Sequence, residues 1–167
     1  MNEKGYTGEL LNELNGKMGI STPHHSVPIM KLIRQHKPKS KDELVQLIAN
    51  HAKEKCPCGI ISKGTVEQFG KNLFNAQKKI WGHEKFSLQT CIQWEYDLFV
   101  TQSLKGNLME QQALLKLQQS QLPFSVEEAE GYLDEELRID LILKLESKIY
   151  GGIQVKPETH FKIYAKM

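Results

Sequence analysis

An α/β fold of the α+β kind is what this chain of 167 residues predicts, and three observations carry the prediction. From about residue 40 to residue 120, apolar residues recur at helical spacing behind capping signals. After Pro123 the period changes, and from residue 136 apolar residues alternate as they do in strands. With 40% hydrophobic and 25% charged residues the composition is globular, and the length gives one domain an adequate core. The expected arrangement is a single domain, 1–167, with a helical N-terminal half packed on a small mixed β-sheet.

Residues 1–27 are rich in Gly, Asn, Ser and Thr and lead into Thr22-Pro23-His24-His25-Ser26-Val27-Pro28, which reads as an irregular arm. Ser40 followed by Glu43 is a capping box, so a helix is expected through about Ala52, burying Leu44, Leu47 and Ile48. Thr65 and Gln68 repeat the signal, and Val66, Phe69, Leu73, Ala76 and Ile80 follow at helical spacing until Gly82 closes the helix. Ser87 caps a third helix through Phe99. Lys105-Gly106-Asn107 is expected to break it, and a fourth helix runs from Leu108 to about Gln119. In the β-rich part, 136–165, Leu137, Ile139, Leu141, Leu143 and Leu145 form one strand and Ile153 and Val155 mark the next. Turn residues Lys148 to Gly152 lie between them, and His160 to Tyr164 is a further short strand.

Charge and composition exclude some classes. The longest apolar run falls well short of the roughly 20 residues of a membrane helix, and the start lacks the apolar core of a signal peptide. Three cysteines, an odd number, fit a reducing cytoplasm better than a disulfide framework. The net charge of +2 does not by itself announce a nucleic-acid binder. Residues 127–136 nevertheless hold six acids and no base, and without them 22 bases face 14 acids. A positive face toward phosphate is therefore available, and so is a mixed solvated surface.

The polar residues of the β-rich part are the candidate site. Asp140 opposes the apolar set of its strand, and Gln154 and Lys156 oppose Ile153 and Val155. A turn near residues 147–148 would set Asp140 opposite Val155 or Lys156 and bring the acid, the amide and the amine to one face. Glu110 falls among Met109, Ala113, Leu114 and Leu117 on its helix, so it faces protein, where a carboxylate needs compensation. Carboxylate and carbonyl oxygens suit Mg²⁺, and a neighbouring lysine suits phosphate and the attacking water.

These residues carry a resemblance. The order helix-Glu (Gly106-Asn107-Leu108-Met109-Glu110), strand-Asp (Arg138-Ile139-Asp140) and polar-x-Lys (Gln154-Val155-Lys156) resembles the PD-(D/E)XK nuclease superfamily, in particular its small type II restriction endonucleases. The likeness covers about residues 65–161. It implies a restriction-endonuclease-like core and a Mg²⁺-dependent enzyme that cuts double-stranded DNA, usually as a homodimer. It also implies roles: Asp140 as main metal ligand, Gln154 and Glu110 as further ligands, Lys156 at the attacking water, and Arg138 on phosphate or a carboxylate. Two departures stand out: only 11 residues follow Lys156, and Gln154 takes the place of the usual acid.

Blander readings stay beside this one. Asp140 as a solvent-facing strand acid, Lys156 as an edge-strand lysine and Glu110 as a helix-dipole partner are each ordinary. A non-catalytic DNA-binding protein and a helical interaction module are the rival functions. Cys56-Pro57-Cys58 with His51 invites zinc, but the C-x-C spacing favours a loop with two reduced thiols.

Overall fold

The computed structural model describes residues 3–23, 25–55, 58 and 64–156, which fall into two compact units, Met1–Leu104 and Lys105–Met167. The fold is α+β as expected.

The first unit is helical: α1 (Glu3–Met18), α2 (Ile29–His36), α3 (Lys41–Lys53), α4 (Val66–Trp81) and α5 (Leu88–Tyr96). Its boundaries follow the capping chemistry. Ser40 Oγ accepts the Glu43 amide at 3.1 Å, while the Glu43 carboxylate accepts Lys39 N–H. At Thr65 the box is reciprocal, with Gln68 N–H bonded to Thr65 Oγ1 and Thr65 N–H to Gln68 Oε1. Gly82 ends α4 with φ 76°, a left-handed conformation that glycine adopts without steric cost. Ser87 caps α5 through Thr90 N–H.

Two apolar clusters hold this unit. One joins Val27, Ile29, Leu32 and Ile33 to Leu44, Ile48, Val66, Phe69, Phe99 and Val100, with Phe69 and Phe99 stacked at 5.3 Å. The other joins Leu11 and Leu14 of α1 to Leu73, Ala76 and Cys91. Each fully buried Leu or Phe here is worth about 1.5–3 kcal/mol. Gly70 permits the close approach of α4 and α5, since a Cβ there would lie 2.6 Å from Ile92 Cα. Gln77, fully buried, accepts Lys85 and Phe86 N–H and donates to Phe86 O, so one side chain ties down the α4–α5 turn.

Several expectations are corrected. Residues 1–27 are not an irregular arm, because α1 occupies Glu3–Met18 and buries Leu11 and Leu14; three-residue apolar spacing prevails over the Gly and Asn content. Helix α2 was not among the expected elements. Lys105-Gly106-Asn107 does not break the chain. Helix α5 runs through a π turn, Asp97–Thr101, directly into α6 (Gln102–Gln119). One helical glycine costs only about 1 kcal/mol, too little to end a helix alone. Phe99 and Val100, adjacent in sequence, are both fully buried within that wider turn.

In the second unit a three-stranded sheet has the order β1 (Ser125–Glu128), β2 (Leu141–Leu145), β3 (Lys148–Ile153). Both pairings are antiparallel, so the expected mixed sheet is corrected; the two-residue link between β2 and β3 can join only antiparallel neighbours. The β1 strand lies in the acid-rich stretch, followed by a one-turn helix α7 (Tyr132–Glu135). The acid-bearing strand begins at Leu141 rather than Leu137, since Arg138 has φ 56° and Ile139 N–H turns back to Leu133 O at 2.9 Å. The hairpin turn is Glu146-Ser147, both at positive φ as in a type I′ turn. Gly151 and Gly152, expected in the turn, lie within β3, and a register shift falls between Leu143 and Lys144. The strand expected at His160 to Tyr164 lies outside the described residues.

Candidate functional site

The site is built at the open end of the β2–β3 hairpin. Leu141 pairs with Ile153, and Asp140 N–H bonds the carbonyl of the same residue, so the main chain of the acid meets Ile153 rather than Val155 or Lys156 as expected. Two main-chain bonds hold Asp140 in line with the sheet: its N–H donates to Ile153 O and its carbonyl accepts Ala129 N–H, both at 2.9 Å. Its side chain is fixed as well, because Asp140 Oδ2 accepts Val155 N–H at 2.6 Å. A hydrogen bond to a carboxylate at this length is of the strong, charge-assisted kind.

The half-buried acid therefore stands beside the strand end that carries the polar-x-Lys segment. Gln154 and Lys156 flank Val155 and are exposed, and Arg138, two residues before the acid, is exposed too. A carboxylate has about four acceptor positions, and Val155 N–H takes one of those of Asp140.

Glu110 lies on a different element. It is half-buried on α6, next to Gln111, whose amide hydrogen-bonds the Glu128 carboxylate of β1. Two turns on, Gln118 Nε2 donates to Val126 O at 3.0 Å. These two glutamines hold this stretch of α6 along β1, and Glu128 is the β1 partner of Leu141. Glu110 is thus one helix residue from a group that touches the strand beside the acid.

Sequence reasoning did not single out Gln111, Gln118 or Glu128. The glutamines were visible as local enrichment, but their seven-residue spacing, one face of a helix, was the signal that mattered. Glu128 was absorbed into the acidic run. It is half-buried, while its neighbour Glu127 is exposed and pairs with Lys144.

No cluster of three or more His, Cys, Asp or Glu capable of holding a metal exists among the described residues. Two carboxylates and an amide would not form such a cluster in any case. The donor chemistry fits Mg²⁺ rather than a softer ion: the set is all oxygen, and Mg²⁺ takes one or two carboxylates with water and phosphate oxygens for the rest. Elsewhere, His51 Nε2 lies 3.4 Å from Cys58 Sγ, while Cys56 lies outside the described residues. Burial, followed by the nearby Glu95 carboxylate, pushes the Cys91 thiol up to about 11, so this cysteine is inert packing. No helix among the described residues is long and apolar enough to cross a membrane.

Comparison with known families adds the class. A family model of restriction endonucleases matches residues 8–166, nearly the whole chain. That model describes the MjaI restriction endonuclease, and the chain belongs to this family. The protein is accordingly a nuclease that acts on DNA and binds it, as the resemblance to restriction enzymes led one to expect. No curated protein and no solved structure matches the chain.

Proposed function

We propose that the protein is a Mg²⁺-dependent restriction endonuclease of type II, working as a homodimer on double-stranded DNA, with a PD-(D/E)XK site at the open end of the β2–β3 hairpin. The observation that carries this reading is the bond from Val155 N–H to Asp140 Oδ2, which fastens the strand acid to the centre of Gln154-Val155-Lys156. Asp140 is the main ligand, Gln154 contributes an amide oxygen, and Glu110 acts directly or through water. The ion, when bound, supplies positive charge beside the scissile phosphate. Lys156 neutralises phosphate and orients the attacking water or takes its proton, and Arg138 contacts the phosphate. An exposed lysine and arginine on either side of a half-buried acid suit a polyanionic substrate that must reach the carboxylate.

The experiment is digestion of a sequenced plasmid with Mg²⁺ or with chelator, with the ends mapped and the mass of the free protein measured by sedimentation. Discrete Mg²⁺-dependent cuts, lost in Asp140→Ala and Lys156→Ala, are expected from a dimeric protein. Undiminished cleavage by Asp140→Ala sinks the site, cleavage in chelator sinks the Mg²⁺ requirement, and a monomer on and off DNA sinks the homodimer.

A further inference from the structure

We propose that Gly152 and Ile139 form a positioning pair that holds Asp140 in its working place; the inference rests on the reading of Asp140 given above. A Cβ built on Gly152 would lie 2.7 Å from Ile139 Cγ2, 2.8 Å from Cδ1 and 3.0 Å from Cγ1. Gly152 is not among the glycines at positive φ, so space rather than backbone conformation selects glycine here. Two of the three atoms are bonded directly to Ile139 Cβ. They are not the tip of a pliable chain: χ1 of a β-branched residue is stiff, so the methyl pushes against the main chain at Ile139.

That main chain leads straight to the acid. Ile139 leaves the left-handed turn at Arg138, is tied through its N–H to Leu133 O, and is followed at once by Asp140. The side chain of Ile139 rests on β3 at Gly152, one residue before Ile153, whose carbonyl accepts Asp140 N–H. Asp140 is thus aligned by its own bonds to β1 and β3 and by the seating of the residue before it. A methyl group at 152 lifts Ile139 from the strand and strains the bonds at Asp140 N and Oδ2 together. Gly152 and Ile139 touch no substrate in this account; they act through Asp140.

The test measures single-turnover cleavage of a plasmid that the wild-type protein cuts, for Gly152→Ala, Ile139→Ala, the double variant and Asp140→Ala. DNA retention with Ca²⁺ in place of Mg²⁺ and the urea midpoint are measured in parallel. Gly152→Ala is expected to lose about 100-fold in rate, the effect of a displacement of about 1 Å at a reacting centre, while DNA retention stays within a factor of about two. Ile139→Ala removes all three clashing atoms, so the double variant is expected to cleave at least about tenfold faster than Gly152→Ala. Rates are compared where the urea midpoints show each variant folded, so a loss that merely tracked unfolding is set aside. Wild-type cleavage by Gly152→Ala, or a double variant no faster than Gly152→Ala, overturns the pair. Should Gly152→Ala fail to fold, a folded and active double variant supports the pair and a folded inactive one overturns it. Wild-type cleavage by Asp140→Ala overturns the site itself, whereas an inert Asp140→Ala beside a fully active Gly152→Ala overturns the pair alone.

Discussion

Raising the pH should weaken this protein through one side chain, Glu95. It is fully buried on α5, where Ser21 Oγ donates to its Oε2 at 2.7 Å and Oε1 has no hydrogen-bond partner. Asn15 holds Ser21 in place through its backbone N–H, carbonyl and hydroxyl. Burial pushes the Glu95 carboxyl up to about 7 from its ordinary 4.5, and the Ser21 bond pulls weakly the other way. Below pH 4.5 the group is protonated in both the folded and the unfolded chain. Between 4.5 and about 7 the unfolded chain has released the proton and the folded chain has kept it, so stability falls as pH rises, by about 1.4 kcal/mol per pH unit. Above 7 both are ionised and the loss is complete, at about 3 kcal/mol. Urea unfolding followed by tryptophan fluorescence at pH 5, 6, 7 and 8, on wild type and Glu95→Gln, measures the effect. The amide keeps the Ser21 bond and adds a buried donor, which shifts its stability by a constant but not with pH. The expected result is a wild-type curve that drops relative to the variant by about 3 kcal/mol from pH 5 to 8. Parallel curves across that range would refute the reasoning.

Gly70→Ala should cost about 3 kcal/mol or more, at the upper end for overpacking, because the atom in the way is Ile92 Cα, which no rotamer change can move. A urea midpoint unchanged from wild type would contradict the close approach of α4 and α5. Ser147→Gly should add about 0.5–1 kcal/mol, since Ser147 holds φ 68° in a two-residue turn that favours glycine. A thermal scan showing a lower melting temperature would count against that turn.

Much of the helical half was legible because caps are local chemistry. Ser40, Thr65 and Ser87 each announced a helix start within a few residues, and Gly82 a helix end. What escaped depended on partners distant in sequence. Helix α1 is polar in composition and is held by Leu11 and Leu14 against α4 and α5. Strand β1 sits in an acidic stretch with only Val126 and Ala129 fully buried nearby, and it exists because β2 pairs with it. In the candidate site, alternation found the acid and the amide–amine segment. The backbone bond that joins them leaves no trace in side-chain identity, since any residue at 155 other than proline supplies the same N–H.

The irregularity between Leu143 and Lys144 has a consequence for the curvature of the ribbon. Near the turn, Leu145 faces Lys148 and Lys144 faces Ile149, while Leu143 faces Gly151. Tyr150 is a surplus residue with no residue opposite it on β2, a bulge that bends β3 and increases its twist. Deleting it would keep Leu143 opposite Gly151 and every pairing beyond, but would take out the bend. A single spacer near the turn thus gives the ribbon its curve and leaves its facing partners as they are.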